Sequence, residues 1–157
     1  MRAHPWHPAI VHFPIACWSM AALIDAAALV GALPERLATS IQGVEPTALS
    51  YGLLWIGVAL GLAAMLVGFI DYLRLPTKVQ TGSAMSWHVA AMTGAWALFL
   101  GAALLRSPPA PPFPSAPFTA TLIELAGFAC LCAGGVLASA VVFAGWPRSS
   151  ERGSGVS

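Results

Sequence analysis

The sequence predicts an all-α integral membrane protein, a four-helix bundle whose successive helices run up, down, up and down. Of its 157 residues, 58% are hydrophobic and only 8% are charged, against roughly 25% charged in an average soluble domain. A chain this short exposes too much surface to stay in water with so few charges. Four apolar segments are long enough to cross a hydrocarbon core about 30 Å thick as helices. The alternating strands of a membrane barrel are not present in the sequence.

The first predicted helix covers about residues 8–33 and carries two prolines near its start. Pro8 suits a first helical turn, whereas a proline further in removes a backbone hydrogen bond, so the helix either kinks at Pro14 or begins beside it. Asp25 interrupts the apolar stretch, which is atypical of a cleavable signal peptide. We therefore expect this segment to remain as a membrane helix.

The second predicted helix covers about residues 51–73 and follows a polar segment at 34–50. Gly57 and Gly61 stand at the spacing that lets two membrane helices approach closely. If the protein is a scaffold, substitutions at these two glycines are expected to disturb its association.

The third and fourth predicted helices cover about residues 84–105 and 118–143. The segment 107–117 between them contains six prolines and is predicted to be an extended loop, because proline cannot continue a helix. Residues 147–157 are rich in Ser and Gly, which predicts a disordered tail. A single transmembrane domain is therefore expected over residues 1–146.

Lysine and arginine near the predicted helix ends indicate the orientation, because cytoplasmic loops carry an excess of both. One side of the membrane would hold five of them, namely Arg2, Arg74, Lys78, Arg148 and Arg152. The opposite side would hold Arg36 and Arg106. We therefore expect both termini in the cytoplasm.

Histidines and one carboxylate converge near the predicted cytoplasmic face. The starts of helices one and three and the end of helix two bring His7, His12, Asp71 and His88 to this level. Imidazole is the commonest metal ligand, and a carboxylate can complete or orient such a site. One hypothesis is a b-type haem held between His12 and His88, with His7 as an alternative cofactor ligand. The alternative is a transition metal ion held by all four side chains.

Ordinary structural roles explain the same residues equally simply. Histidine suits the headgroup region, where one end of the ring is apolar and the other wet. His4 and His7 fit surface positions at the start of the first helix. Asp71 lies three residues before Arg74, the spacing of a local ion pair on a helix.

Asp25 and Glu124 form a second polar group toward the opposite face. Asp25 lies roughly 20 Å along the first helix from His12, at 1.5 Å per residue, and Glu124 lies early in the helix that enters from that side. Two buried carboxylates at one depth are expected to share a proton, whereas Arg106 is an alternative partner of either. The pair predicts a hydrogen-bonded tie between helices, or a proton relay or proton-coupled permease.

The sequence contains no phosphate-binding glycine loop, no His-Glu-x-x-His pair, no Gly-x-Ser-x-Gly elbow and no Cys-x-x-Cys-His haem attachment. An electron-transfer or binding protein is therefore expected rather than a stand-alone catalyst. A net charge of +1 provides no basic field for nucleic acid. The expected partners are the lipid bilayer, a separate redox protein or membrane complex, and a second copy of the chain, since small-residue faces permit a homo-oligomer. The rival to cofactor binding is a cofactor-free scaffold or assembly subunit.

The stretch His7-Pro8-Ala9-Ile10-Val11-His12-Phe13-Pro14-Ile15 resembles the opening signature of a bacterial membrane-protein family known as domain of unknown function 2231. The similarity continues through Asp25, Gly68, Asp71 and His88 and covers roughly residues 7–145. The resemblance implies a four-helix protein of the bacterial inner membrane without an agreed activity. Some members are joined to cytochrome or iron–sulfur domains, which implies a redox-linked role. The positions that match the family's polar residues are His7, His12, Asp25, Asp71 and His88.

Overall fold

The structure, a computed structural model, describes residues 6–33, 45–74, 77–80, 82–107 and 118–143, with side chains for residues 10–33, 45–74, 77, 80, 82–107 and 118–140. Its four long helices are α1 (Trp6–Leu29), α2 (Pro46–Leu73), α3 (Ser83–Leu105) and α4 (Phe118–Phe143), with a short helical segment, Thr77–Gln80, between α2 and α3. Within these ranges there is no strand. Each long helix is apolar enough to cross a membrane, so the predicted all-α membrane fold is confirmed.

The boundaries between α1 and α2 differ from the prediction. The first helix ends at Leu29 rather than near residue 33, because Gly31 adopts a positive φ of 66° and turns the chain out of the helix. The second begins at Pro46 rather than near residue 51, since proline has no N–H to lose and fits the first turn. The polarity of residues 46–50 suggested a loop, but in the structure these residues form the first turns of α2. The predicted tail at 147–157 and residues 108–117 of the proline-rich loop lie outside the described residues.

Neighbouring helices run antiparallel, as two hydrogen bonds at opposite ends of the bundle show. Ser50, at the start of α2, bonds Asp25, late in α1. His88, early in α3, bonds the carbonyl oxygen of Gly134, late in α4. The most extensive packing joins α1 to α2 and α3 to α4, and contacts of α1 with α4 and α2 with α3 complete the bundle.

Two aromatic rings occupy the centre of the bundle. Trp18 of α1 stacks on Phe99 of α3 with ring centroids 4.9 Å apart. A Cβ at Gly57 would lie 2.5 Å from Trp18 Nε1, one at Gly61 would overlap the same ring, and one at Gly127 would lie 3.0 Å from Phe99 Cε2. Gly57 and Gly61 therefore give room to an interior ring, so substitutions there report on folding of the chain rather than on association.

The outer surface of the bundle is apolar. Exposed side chains on its four helices include Leu23, Leu66, Phe69, Trp87 and Val136. An exterior of this kind suits a hydrocarbon solvent and would be a liability in water. The charged side chains described next lie inside, as is usual in membrane proteins.

We expect Gly57→Ala to destabilise the protein by about 1–3 kcal/mol, because the new methyl group would overlap the rigid Trp18 ring. Gly52→Ala on the same helix is the matched control, since nothing lies within 4 Å of its added Cβ. The control should be neutral or up to about 1 kcal/mol stabilising through helix propensity. Unfolding midpoints in mixed detergent micelles measure both, and equal effects would contradict the proposed packing.

Candidate functional site

Each of the four helices contributes one polar side chain to a buried group at one end of the bundle. Asp25, Ser50, Arg106 and Glu124 make up this charge cluster, and each has at most 1% of its surface exposed. The cluster joins residues that are distant in the chain and close in space. The structure therefore brings together the two carboxylates that the sequence placed at one depth, and Arg106 lies between them.

The Arg106 guanidinium is the centre of the cluster. Its Nη1 donates to Asp25 Oδ2 at 2.5 Å and lies 3.4 Å from Glu124 Oε1. Its Nη2 donates to Ser50 Oγ at 2.9 Å and to the backbone oxygen of Thr47 at 2.8 Å. A planar guanidinium with several fixed donors suits a site with acceptors on three helices.

Ser50 fixes the orientation of Asp25. Its Oγ accepts from Arg106 Nη2 and donates to Asp25 Oδ1 at 2.6 Å, with the Thr47 carbonyl oxygen as a second acceptor at 3.0 Å. Both carboxylate oxygens of Asp25 are therefore hydrogen-bonded, one to serine and one to arginine. This arrangement holds Asp25 as the fixed partner of the guanidinium.

The backbone at the end of α3 turns Arg106 into the bundle. The Arg106 N–H bonds the carbonyl oxygen of Ala102, and the guanidinium lies 5.6 Å from the centre of the Tyr51 ring, a cation–π distance. The Tyr51 hydroxyl lies 3.2 Å from Ser107 Oγ, which donates to the Ala103 carbonyl oxygen. Tyr51 and Ser107 thus bind the end of α3 to the start of α2 beside the cluster.

The cluster contains two carboxylates for one guanidinium. Asp25 uses both oxygens, whereas Glu124 Oε2 has no hydrogen-bond partner among the described residues. Two other buried polar atoms near Glu124 also have no hydrogen-bond partner among the described residues, namely Arg106 Nε and Thr121 Oγ1. Thr121 lies one turn before Glu124 on α4 and is fully buried. Of the four buried polar atoms without a partner among the described residues, three therefore lie in or beside the cluster, and the fourth, Trp18 Nε1, lies at the centre of the bundle.

The predicted haem or metal ligands have separate surroundings. The His88 side chain is half-buried and its Nδ1 lies 2.8 Å from the Gly134 carbonyl oxygen, whereas the His12 side chain is exposed on α1. The His7 side chain lies outside the described ones. No group of three or more His, Cys, Asp or Glu side chains is placed to hold a metal ion in the described part of the chain. The ligand roles of His7, His12 and His88 stay predictions.

Asp71 takes the local partner that its spacing suggested. Its carboxylate lies 3.8 Å from Arg74 Nη1, and the two side chains are 35% and 65% exposed. A pair this exposed contributes little to stability. The use of Asp71 as an additional metal ligand stays a prediction.

Ser50, Thr47, Tyr51 and Thr121 were not identified as site residues from the sequence. The sequence predicts that Ser50 ends a polar segment before the second helix, because polar residues precede the apolar run. The sequence signal for an earlier start of the second helix is Pro46, because proline suits a first helical turn. A helix that begins there places Ser50 at the depth of Asp25, across an antiparallel pair.

A family model with the description "Predicted membrane protein (DUF2231)" matches residues 3–156 of the chain. This match covers all four helices and every residue of the charge cluster. No curated protein matches the chain, and no solved structure does.

We expect Arg106→Gln to destabilise the protein by about 3–5 kcal/mol, because it leaves two buried carboxylates without their cation. Arg74→Gln is the matched control, since its ion pair is largely exposed and its loss should cost less than about 1 kcal/mol. Unfolding by denaturing detergent in mixed micelles measures the difference. A further substitution of both carboxylates by their amides, Asp25→Asn with Glu124→Gln, should recover part of the loss, and its failure to do so would contradict a charge origin.

Proposed function

Since the chain belongs to the DUF2231 family of predicted membrane proteins, we propose that this multi-pass membrane protein carries protons at the charge cluster, with Glu124 as the group that binds and releases them. The observation that carries this proposal is the ratio of two fully buried carboxylates to one guanidinium. Charged groups inside a membrane are costly and concentrate along proton and ion pathways.

The hydrogen bonds distinguish the two carboxylates. Asp25 makes the 2.5 Å contact with Arg106 and has its second oxygen on Ser50, so these two charges neutralise each other. Glu124 lies farther from the guanidinium, at 3.4 Å, and its Oε2 has no partner among the described residues. A proton on Glu124 makes the cluster neutral, and its loss leaves one net negative charge.

Arg106 makes both states of Glu124 accessible. When the Oε2–H bond breaks, the proton passes to water and the electron pair stays on the carboxylate, which is attracted to Arg106 Nη1. The guanidinium keeps its own protons throughout, because its affinity for them is too high for it to take part. The Thr121 hydroxyl, one turn before Glu124 on α4, is buried and likewise has no hydrogen-bond partner among the described residues. Uptake reverses these steps.

The burial of Arg106 also supports the predicted orientation. Its guanidinium is inside the bundle and bound to carboxylates, so it is not a loop charge of the kind that sets topology. Without it, one side of the membrane has five basic residues and the other has Arg36. This bias supports the proposal that both termini are cytoplasmic in the bacterial inner membrane, an orientation in which the charge cluster would lie toward the outer face.

We expect Glu124→Gln to remove all protein-dependent proton flux in liposomes that carry a pH-sensitive dye, because glutamine keeps the shape of the side chain but does not ionise. Glu151→Gln, the same change in the C-terminal region, is the control and should leave the flux unchanged. The two variants should unfold at similar detergent concentrations. Equal flux in the wild type and Glu124→Gln would reject the proton carrier and leave the cluster as a tie between helices.

One observation favours a second function, binding of b-type haem or a transition metal ion at His88 in a redox-linked protein. Its Nδ1 faces the Gly134 carbonyl oxygen at 2.8 Å, and a carbonyl only accepts, so Nδ1 carries the proton. The lone pair of Nε2 is then available for a metal, an arrangement common for histidine ligands. A haem bound there supplies one-electron transfer. His12 or His7 would be the other ligand, and a separate redox protein the electron partner.

For this second function, detergent-purified protein from haem-replete cells should show a Soret absorption band or a stoichiometric metal ion. His88→Ala should lower the affinity for the cofactor by at least about tenfold, since it removes the oriented imidazole. His4→Ala is the control for a general effect of histidine loss. A colourless, metal-free preparation would reject the second function and would be compatible with both the proton carrier and the cofactor-free scaffold.

A further inference from the structure

A cavity of about 360 Å³ lies between the end of α1 and the start of α2. The described residues that line it come from these two helix ends and are Ala28, Gly31, Leu33, Glu45, Pro46 and Thr47. Glu45 is exposed, Thr47 is half-buried and Pro46 is buried. The lining therefore extends from the surface of the protein into the bundle.

The inner end of the cavity adjoins the charge cluster. Thr47 belongs to both, because it lines the cavity and its backbone oxygen accepts from Arg106 Nη2 at 2.8 Å. Ala28 lines the cavity one turn after Asp25 on α1. Thr47 therefore links the lining of the cavity directly to the guanidinium of the cluster.

The charges around the cavity favour cations. Among the described residues of its lining Glu45 is the one with an ionisable side chain, and the cluster beneath has two carboxylates for one guanidinium. The C-terminal end of α1 and the N-terminal end of α2 contribute partial charges of about −0.5 and +0.5, which offset each other. Among the described residues the full charges are therefore the negative charge of Glu45 and, when Glu124 is ionised, one net negative charge on the cluster.

We propose that this cavity is the aqueous entrance to the charge cluster, which admits water and small monovalent cations, hydronium among them, and that Glu45 at its rim disfavours anions. Only one part of this proposal rests on the proposed proton function, namely the identity of the species that passes through the entrance. Its accessibility to water and its charge selectivity are properties of the cavity itself, and both are measured without any assay of transport.

Cysteine labelling tests the entrance. The background carries alanine at Cys17, Cys130 and Cys132, the three free cysteines of the chain. In proteoliposomes, Ala28→Cys should react with a membrane-impermeant maleimide. Ala63→Cys, an exposed position of α2 away from the cavity, should not, because lipid covers it. Thr47→Cys is a second reporter that keeps the backbone oxygen bound to Arg106. Absence of labelling at both cavity positions would overturn the proposal.

Charged reagents test the selectivity. A cationic thiosulfonate should react with Ala28→Cys faster than an anionic one, after each rate is divided by its rate with glutathione. Adding Glu45→Gln should lower this ratio about threefold, the effect expected of one nearby charge in screened water. A ratio that Glu45→Gln leaves unchanged would remove Glu45 from the proposal, and a preference for the anion would overturn it.

The same variants separate the entrance from the proton function. If both hold, a bulky maleimide on Ala28→Cys blocks proton flux, and labelling proceeds at the same rate in a Glu124→Gln background without flux. Labelling without any wild-type flux would reject the proton function and retain the aqueous cavity. Flux that persists unchanged after complete labelling would reject the entrance and retain the proton function.

Discussion

The fold depends on how one buried guanidinium is neutralised in an apolar bundle. Arg106 bonds or contacts groups on α1, α2 and α4 from its own position at the end of α3, so a single side chain ties one end of all four helices together. In hydrocarbon no water can replace a missing partner. The arrangement of α1, α2 and α4 around Arg106 is therefore strongly constrained, although no two of the cluster's four residues are close in sequence.

The interior has two levels that differ in chemistry and in their tolerance of change. At the middle, Trp18 stacks on Phe99 in space left by glycines, and its Nε1 has no hydrogen-bond partner among the described residues. At one end, the charge cluster has more polar groups than its own hydrogen bonds satisfy. The apolar core lies on one side of the cluster, and the cavity beside Glu45 and Thr47 lies on the other. This asymmetry is what supports a site of proton exchange over a purely structural tie.

Some residues of the charge cluster can be recognised from the sequence, and others only from the structure. Asp25, Glu124 and Arg106 stand out because ionisable side chains in apolar segments have few ordinary explanations. Ser50 does not, since serine is common at helix starts and its role appears only once α2 begins at Pro46. The histidines differ from these carboxylates. Their number and their similar depth in the membrane predict a common site, but in the structure His88 faces Gly134 and His12 is exposed.

Composition and segment length by themselves determined that this is an all-α membrane protein with four spanning helices, because lipid permits few ways to satisfy a backbone. They also placed Asp25 and Glu124 at one depth, since position along a helix converts directly into distance. Which of the two carboxylates takes the arginine was decided only by the tertiary structure. That choice depends on side-chain geometry across four helices. Ser50 and the Thr47 carbonyl oxygen hold the guanidinium on the side of Asp25. Glu124 Oε2 is left without a partner among the described residues.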